Sequence, residues 1–365
     1  MTLTLDEPGA VRDENRFDPA LILPFLKTQI AGLADGPVTL AQFQGGASNL
    51  TFQLNVGARE MILRRPPAGT KPKSGHDMGR EFHVLQALHG HFPVPQPLAW
   101  CEDPALIGAP FYVMEKLRGV ILRRDPPKEL RYEPDAARQL CLNLVDTLIR
   151  LHALDFHAIG LGELGKPDGY VGRQVSGWCE RFGKAWTDDV PRCEELMDWL
   201  HIHRPEDSPR PAIIHNDYRF DNVVLDPRDT LSIIGVLDWE MCTLGDPLMD
   251  LGNSLAYWVQ AGDASPMQAV RMQPSNLPGM LTREEIARYY GEKTGRDIPN
   301  LDFYYVFGLF RLAVIAQQIY YRWKLGQTKN PRFQSFGMFV AVLSQVADGV
   351  IQKSPVSSRG APDLS

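Results

Sequence analysis

The sequence predicts an α+β protein in two lobes: an N-terminal lobe built on a five-stranded antiparallel sheet with one helix, and a mostly helical C-terminal lobe. Three observations predict it. Strand-like runs punctuated by glycine turns crowd residues 1–117, with one helical pattern after the third run. Beyond Gly119, apolar residues recur at helical spacing in seven segments. Between those segments, "IIHNDYRFDNVVLD" (213–226) sets a His, two Asn, two Asp and an Arg between two apolar runs.

Taken in order, a short helix is expected near 21–30, then strands over "VTLAQFQGG" (38–46), "NLTFQLNV" (49–56) and "REMILRRP" (59–66). The first two meet at "GGASN" and the next pair at "NVGARE", both turn signals. A helix follows over 79–91, with Phe82, Leu85 and Leu88 on one face, and Pro93, Pro95 and Pro97 end it. "PLAWCED" (97–103) and "PFYVMEKL" (110–117) complete the sheet. The helical segments are 134–154, 174–187, 191–202, 246–259, 282–293, 301–324 and 332–351, interrupted by a strand-like "SIIGVLDWE" (232–240). Residues 1–16 and 354–365 are polar and expected to be disordered, so the domains read as 1–117 and 118–365.

Composition narrows the class. With 365 residues, 44% hydrophobic and 22% charged, the chain can bury large cores, and a net charge of −6 argues against a general nucleic-acid binder. Five Cys (Cys101, Cys141, Cys179, Cys193, Cys242) without any C-x-x-C pair fit a reducing compartment, and the polar start shows no signal-peptide core. A cytoplasmic protein is expected. The run 303–321 approaches membrane-spanning length but carries Gly308, Arg311, Gln317 and Gln318, so it reads as a buried helix, with no membrane insertion. The oligomeric state is open at this level.

The polar stretch has a chemical reading. His215-x-Asp217-x-x-x-x-Asn222 follows the catalytic-loop spacing of protein kinases: a carboxylate to accept a hydrogen bond from an attacking hydroxyl, and an amide oxygen for a metal. The runs "AII" before and "VVL" after would pin the loop between buried strands. "IIGVLDWE" then places Asp238 after another apolar run, where kinases carry the metal-binding Asp of D-F-G.

With "GGASNLTF", "MILRRPP", "GREFHVLQAL", "FYVMEKLRG", "HNDYRFDNVVLD", "LDWE" and "GDPLMDLG" in order from Gly45 to Gly252, the chain resembles the aminoglycoside phosphotransferase and choline kinase group of the kinase-like superfamily. The resemblance extends to the branch found fused to acyl-CoA dehydrogenases and implies a bilobal protein-kinase-like fold using ATP and Mg²⁺. It implies Asp217 as catalytic base and Asn222 and Asp238 as Mg²⁺ ligands. It also makes 1–117 the nucleotide-binding lobe and 118–365 the lobe of the catalytic loop and acceptor site. His215 braces the loop, and Arg219 and Asp221 either shape it or touch substrate. Trp239 stands where D-F-G has Phe, and Asp246 and Asp250 read as structural, Asp246 as a helix cap.

On the nucleotide side, the glycine turn offers backbone N–H groups near Ala47–Asn49 and the Ser48 hydroxyl to phosphates. Kinases use a Lys on the third strand; here Arg64 or Arg65 must serve. Strand alternation sends one of them each way, and the family pattern favours Arg64, with Glu81 as its ion-pair partner. "FYVMEKL" falls where the family has its hinge. Backbone groups of Glu115–Leu117 would meet adenine there, and Met114 is gatekeeper or plain core. The expected acceptor is the hydroxyl of a small molecule. Aromatic and basic helices over 170–186 and 303–333, with Arg173, Arg181 and Arg311 among them, suit a long amphiphilic, negatively charged acceptor better than a sugar amine, and the resemblance to the branch fused to acyl-CoA dehydrogenases implies a hydroxyacyl-CoA. An aminoglycoside, choline or sugar kinase is the alternative, and a pseudokinase-type nucleotide-binding module the alternative of another class.

Overall fold

The structure, a computed structural model, describes residues 7–43, 49–67, 77–328, 330–355 and 357. In chain order they form α1 (Leu23–Gln29), β1 (Val38–Gln42), β2 (Leu50–Val56), β3 (Arg59–Arg65), α2 (Met78–Leu88), β4 (Pro97–Cys101), β5 (Phe111–Glu115), α3 (Pro134–His152), α4 (Tyr170–Ala185), α5 (Glu194–Ile202) and β6 (Ala212–Ile214). There follow β7 (Val223–Leu225), β8 (Ile233–Val236), β9 (Thr243–Gly245), α6 (Pro247–Ala256), α7 (Ser265–Val270), α8 (Arg283–Thr294), α9 (Leu301–Lys324) and α10 (Phe336–Lys353). Met1–Ile121, His157–Leu161 and Asn222–Cys242 make one compact unit; Leu122–Phe156, Gly162–Asp221 and Thr243–Ser365 make the other.

In the β-rich unit, five antiparallel strands run in the order β1-β2-β3-β5-β4. Alternation assigns two faces. Phe52, Leu54, Met61, Leu63, Phe111 and Val113 form one core with Ile22 and Leu26; each such side chain stabilises by about 1.5–3 kcal/mol relative to exposure. The opposite face carries Ile62, Arg64, Tyr112 and Met114, paired across β3 and β5 as Arg64↔Tyr112 and Ile62↔Met114. The helix α2 covers that face, its Phe82 ring lying 6.3 Å from Trp100 and 6.0 Å from Tyr112. Asp77 caps α2 by accepting from the Arg80 N–H.

The units are not the two contiguous spans expected from the sequence. The β7–β8 hairpin belongs with the β-rich unit because Val120 and Leu225 exchange backbone hydrogen bonds of 2.9 and 2.8 Å, and Val236 N–H donates to Pro93 O at 2.8 Å. A Cβ at Gly119 would come within 2.4 Å of the backbone Leu225 O, so this approach needs that glycine. Residues 7–16, expected to be disordered, are also tied down. Gly9 and Gln42 exchange two backbone bonds of 2.9 Å, and the buried Gln42 side chain accepts from Arg12 N–H and Asn15 Nδ2. Polar composition hid this because the partner is itself a buried polar side chain.

In the helical unit, α9 is buried along most of its length and packs against α4, α6 and α10. At the α6–α9 crossing, a Cβ on Gly252 would lie 2.3 Å from Tyr304 O and one on Gly308 2.3 Å from Gly252 O. Glycines let these backbones touch. The run 303–321 thus lies within a core helix, while Pro331–Lys353 is, among the described residues, the stretch long and apolar enough to cross a membrane by length and composition. Two elements escaped the sequence pattern, α7 and the three-residue β9, which pairs with β6 through Ile213↔Leu244. Part of the tail expected to be disordered is held: Ser354 Oγ donates to Asp302 at 2.7 Å, and Trp199 Nε1 donates to Ser357 Oγ at 2.9 Å.

Candidate active site

The candidate residues fall in both units. In the β-rich unit, Arg64 is 7% exposed and donates from Nη1 to Glu81 Oε1 at 2.5 Å and from Nη2 to Asp238 Oδ1 at 3.0 Å, with Glu240 Oε2 at 3.8 Å. Burial opposes the guanidinium charge, but Glu81, Asp238 and Glu240 override it and raise its pKa well above the ordinary value. Burial pushes the Glu81 carboxyl up while Arg64 pulls it back, and the Trp239 N–H also reaches it. Three carboxylates thus converge on one permanent cation. Arg65 points the other way. It is 2% exposed, donates to Asn15 O and lies 5.2 and 5.8 Å over the Phe17 and Phe52 rings.

Asp238 adopts the left-handed region at φ 67°, ψ 64°, unusual for a residue with a Cβ and a recurrent feature of functional sites. Leu237 N–H donates to Asn222 O at 2.8 Å, so the two presumptive oxygen ligands, Asn222 and Asp238, sit at adjoining positions of one hairpin end. Next in the chain, Trp239 is fully buried, edge-on to Phe92 at 5.8 Å, with its Nε1 on Val236 O. It fills the interior where a Phe would leave the indole N–H and part of the volume missing. Glu240, given no role from sequence, accepts from Asn49 Nδ2 at 2.6 Å, the described residue directly after the glycine turn. Ser48 and the turn itself, 44–48, lie outside the described residues.

Met114 is 7% exposed on the Arg64 face of the sheet. The Glu115 N–H does not present itself to a ligand: it donates to Gln96 O at 2.8 Å, while the Glu115 carboxylate accepts from Gln96 N–H. Its amide is used by the β4 side of the sheet. Leu117 packs its side chain onto Gly235.

In the helical unit the loop after β6 is organised by one carboxylate. Asp250 is fully buried on α6; its Oδ2 accepts from His215 N–H at 2.7 Å and its Oδ1 from Asn216 N–H at 2.7 Å, with His152 Nε2 at 3.1 Å from Oδ2. Burial alone would raise its pKa, but the His152 hydrogen bond and the histidine charges hold it below the usual range. Asn216 is left-handed at φ 66°, and its Oδ1 accepts from Asn253 at 3.1 Å and from the Tyr170 hydroxyl at 3.3 Å. His215 Nδ1 accepts the Asp217 N–H at 3.2 Å, which puts the imidazole proton on Nε2 and makes His215 a brace. Asp246 caps α6 by accepting the Leu248 N–H at 2.8 Å.

So held, Asp217 keeps 20% of its side chain exposed, with Arg219 Nε 3.4 Å from its Oδ1. Arg219 also donates to Asp221 at 2.9 Å and lies 4.7 Å over the Tyr257 ring. The Tyr257 hydroxyl, its pKa raised by burial and then by Asp217, hydrogen-bonds that carboxylate. Tyr257 also lines an apolar pocket with Ala256, Val259, Met267, Leu312 and Leu343. Sequence reasoning missed His152, Asn216, Glu240 and Tyr257. Only Asn216 carried a local signal, as Asn between His215 and Asp217 in a turn; the others act across the chain.

Residues 39–286 match the model of the phosphotransferase enzyme family. Acyl-CoA dehydrogenase family member 10 of Mus musculus is 35% identical over 326 residues, covering 88% of this chain and 30% of that protein. The chain therefore spans less than half the length of that relative. A solved chain from Ralstonia eutropha JMP134, provisionally assigned as an aminoglycoside phosphotransferase, is 31% identical with a TM-score of 0.76 over 93% of this chain and 99% of that one. Aminoglycoside phosphotransferase APH(4)-Ia, solved as a ternary complex with AMP-PNP and hygromycin B, shares the fold at 16% identity and a TM-score of 0.56, covering 92% and 99%.

Proposed function

The chain belongs to the phosphotransferase enzyme family, and from that premise we propose that it is an ATP- and Mg²⁺-dependent kinase of small molecules whose acceptor is the hydroxyl of a hydroxyacyl thioester or similar amphiphilic acid. The observation that carries the reading is the loop around Asp217, whose flanking backbone is locked onto Asp250 while its own carboxylate keeps access to solvent. A carboxylate so placed can orient the acceptor hydroxyl and take its proton. The acceptor oxygen then bonds to the γ-phosphorus as the bond from that phosphorus to the bridging oxygen of ADP breaks. Arg219, within 3.4 Å of Asp217, holds the carboxylate in place.

For the nucleotide, Arg64 is the assigned phosphate contact; a guanidinium keeps its charge and can bind two phosphate oxygens at once, so the absence of Lys does not remove the function. Asn222 and Asp238 would hold Mg²⁺. Two hard oxygen donors from the protein suit an ion that keeps waters and phosphate oxygens in the rest of its shell, and the surplus of carboxylates around Arg64 favours a cation. When bound, the metal supplies neutralisation of phosphate charge. For the acceptor, the kinship with a protein named for acyl-CoA dehydrogenation points to acyl compounds. We also propose a cytoplasmic location, on the five Cys that remain thiols.

A screen of hydroxy fatty acids, their CoA thioesters, aminoglycosides, choline and sugars for ATP-dependent ³²P incorporation tests the reading. Incorporation into the acyl compounds, absent with Asp217→Asn, supports it; incorporation into aminoglycosides or choline alone would replace the acceptor class, and none into any compound would sink the kinase reading.

A further inference from the structure

Three arginines of the described chain are buried, Arg64, Arg65 and Arg311. The first two have oxygen partners, Glu81 with Asp238 and the carbonyls of Asn15 and Ile107. Arg311, halfway along α9 and 4% exposed, has none among the described residues; its guanidinium lies 5.2 Å over the Trp178 ring of α4. No Arg311 nitrogen is among the buried side-chain atoms sealed without a partner, so its five donors stay open to solvent or to a ligand. Stacking on one indole does not replace hydrogen bonds.

Its surroundings say what it faces. The positive charge of Arg311 acts on the hydroxyls of Tyr170 and Tyr257. Tyr170 bonds Asn216, next to Asp217, and Tyr257 bonds Asp217 itself. The adjacent Leu312 lines the apolar pocket that Tyr257 shares. All of these lie in the helical unit. We propose that Arg311 is the receptor for the acyl oxygen of the acceptor, a carboxylate or a thioester carbonyl, and so the group that ranks hydroxyacyl compounds above plain alcohols and amino alcohols. This rests on the phosphotransferase reading of the same site. It deepens that reading by naming the residue that distinguishes the acceptor. A cationic acceptor would be repelled by the same side chain, whereas an acyl oxygen supplies the hydrogen-bond acceptor that the protein itself does not.

The test is binding, so that it stands apart from turnover. Decanoate, decanoyl-CoA, decanol and decylamine are titrated calorimetrically into the full chain and into Arg311→Met and Arg311→Lys. Decanoate or decanoyl-CoA should bind the native chain more tightly than decanol and decylamine, and whichever of the two binds better identifies the acyl form. Arg311→Met should lose about 10- to 100-fold, the range of a charge-assisted hydrogen bond, and Arg311→Lys should retain part. Thermal melts separate a structural role: a receptor with no internal partner leaves the melting temperature of Arg311→Met unchanged or higher, because no internal hydrogen bond is lost. Should that variant fail to fold, Arg311→Gln carries the same measurement. Equal binding of decanol and decanoate, or undiminished decanoate binding by the folded Met or Gln variant, overturns the proposal, as does a lowered melting temperature with affinity intact. If the native chain binds decanoate through Arg311 yet phosphorylates no hydroxy compound, the kinase reading fails and the receptor stands.

Discussion

Two polar constellations in this molecule are held together by opposite means. Around Arg64, the β-rich unit relies on charge: one guanidinium gathers Glu81, Asp238 and Glu240. Around Asp217, the helical unit relies on backbone hydrogen bonds: Asp250 accepts two successive main-chain N–H groups, and the side chain that matters is left unburied. The first arrangement exchanges partners readily, because a phosphate can replace a carboxylate at a guanidinium. The second cannot be exchanged without unmaking the loop. Ligand affinity should therefore answer to the ionic cluster, and rate and stability to the braced loop.

The largest expected effect breaks the loop's chemistry without its frame. Asp217→Asn is nearly isosteric but accepts no proton, so acceptor-dependent ADP release should fall by about 10²–10⁴-fold. Melting temperature and ATP–Mg²⁺ affinity should stay near native values. Native turnover would remove Asp217 from the role of base; simple unfolding would make it a structural residue.

Breaking the frame comes next. Asp250→Ala leaves two main-chain donors and His152 unpaired in the interior and should cost about 3–5 kcal/mol in chemical denaturation. The pH dependence sharpens this. Because the folded Asp250 carboxyl lies below its ordinary value, the unfolded chain binds the proton more tightly. Its stabilisation is thus complete above the unfolded aspartate value of about 4 and is lost as pH falls from there through the folded value. Asp250→Asn, which cannot titrate, should show a shallower loss of stability in urea melts between about pH 5 and 3 than the native chain. Parallel slopes would deny Asp250 its depressed pKa.

On the ionic side the effects should be smaller and appear in affinity. ATP should bind weakly without Mg²⁺, and Asp238→Ala should erase a metal-dependent gain of about tenfold or more in calorimetric titrations. Equal nucleotide affinity with and without Mg²⁺ in both proteins would argue against the metal assignment. Arg64→Lys keeps the charge and should weaken ATP binding only about tenfold, the scale of one charge-assisted hydrogen bond. Arg65→Lys, which alters a side chain stacked on Phe17 and Phe52, should lower the melting temperature and leave ATP affinity unchanged. Sensitivity of ATP binding at Arg65 would reverse the assignment of the two faces.

How much of this could be read from the residues alone follows the range of the interactions. Strands β2 and β3 and helices α3 and α9 were legible because alternation and helical periodicity act within a few residues. The Arg64–Glu81 pair was legible because a strand and the next helix carry it, 17 positions apart. Illegible were the partners gathered from afar. His152 lies 98 positions from Asp250, and Asn49 lies 191 from Glu240. Nothing in the local spacing of α3 marks His152 as a loop brace.

By itself, then, the sequence determined the order and type of most elements, the acidic and amide groups of the loop at 215–222, and the presence of an Arg where kinases keep Lys. Side-chain period and turn chemistry are local, and they survive without any fold. Only the tertiary structure decided that Asp238 and Glu240 join Glu81 around Arg64, that the hairpin 222–242 packs with the sheet, that residues 7–16 are held by Gln42, and that Arg311 is buried without an oxygen partner among the described residues. Burial and charge pairing depend on what other segments bring to a point in space. A charged residue in a sequence reads as solvated until the packing of distant helices removes the water from around it.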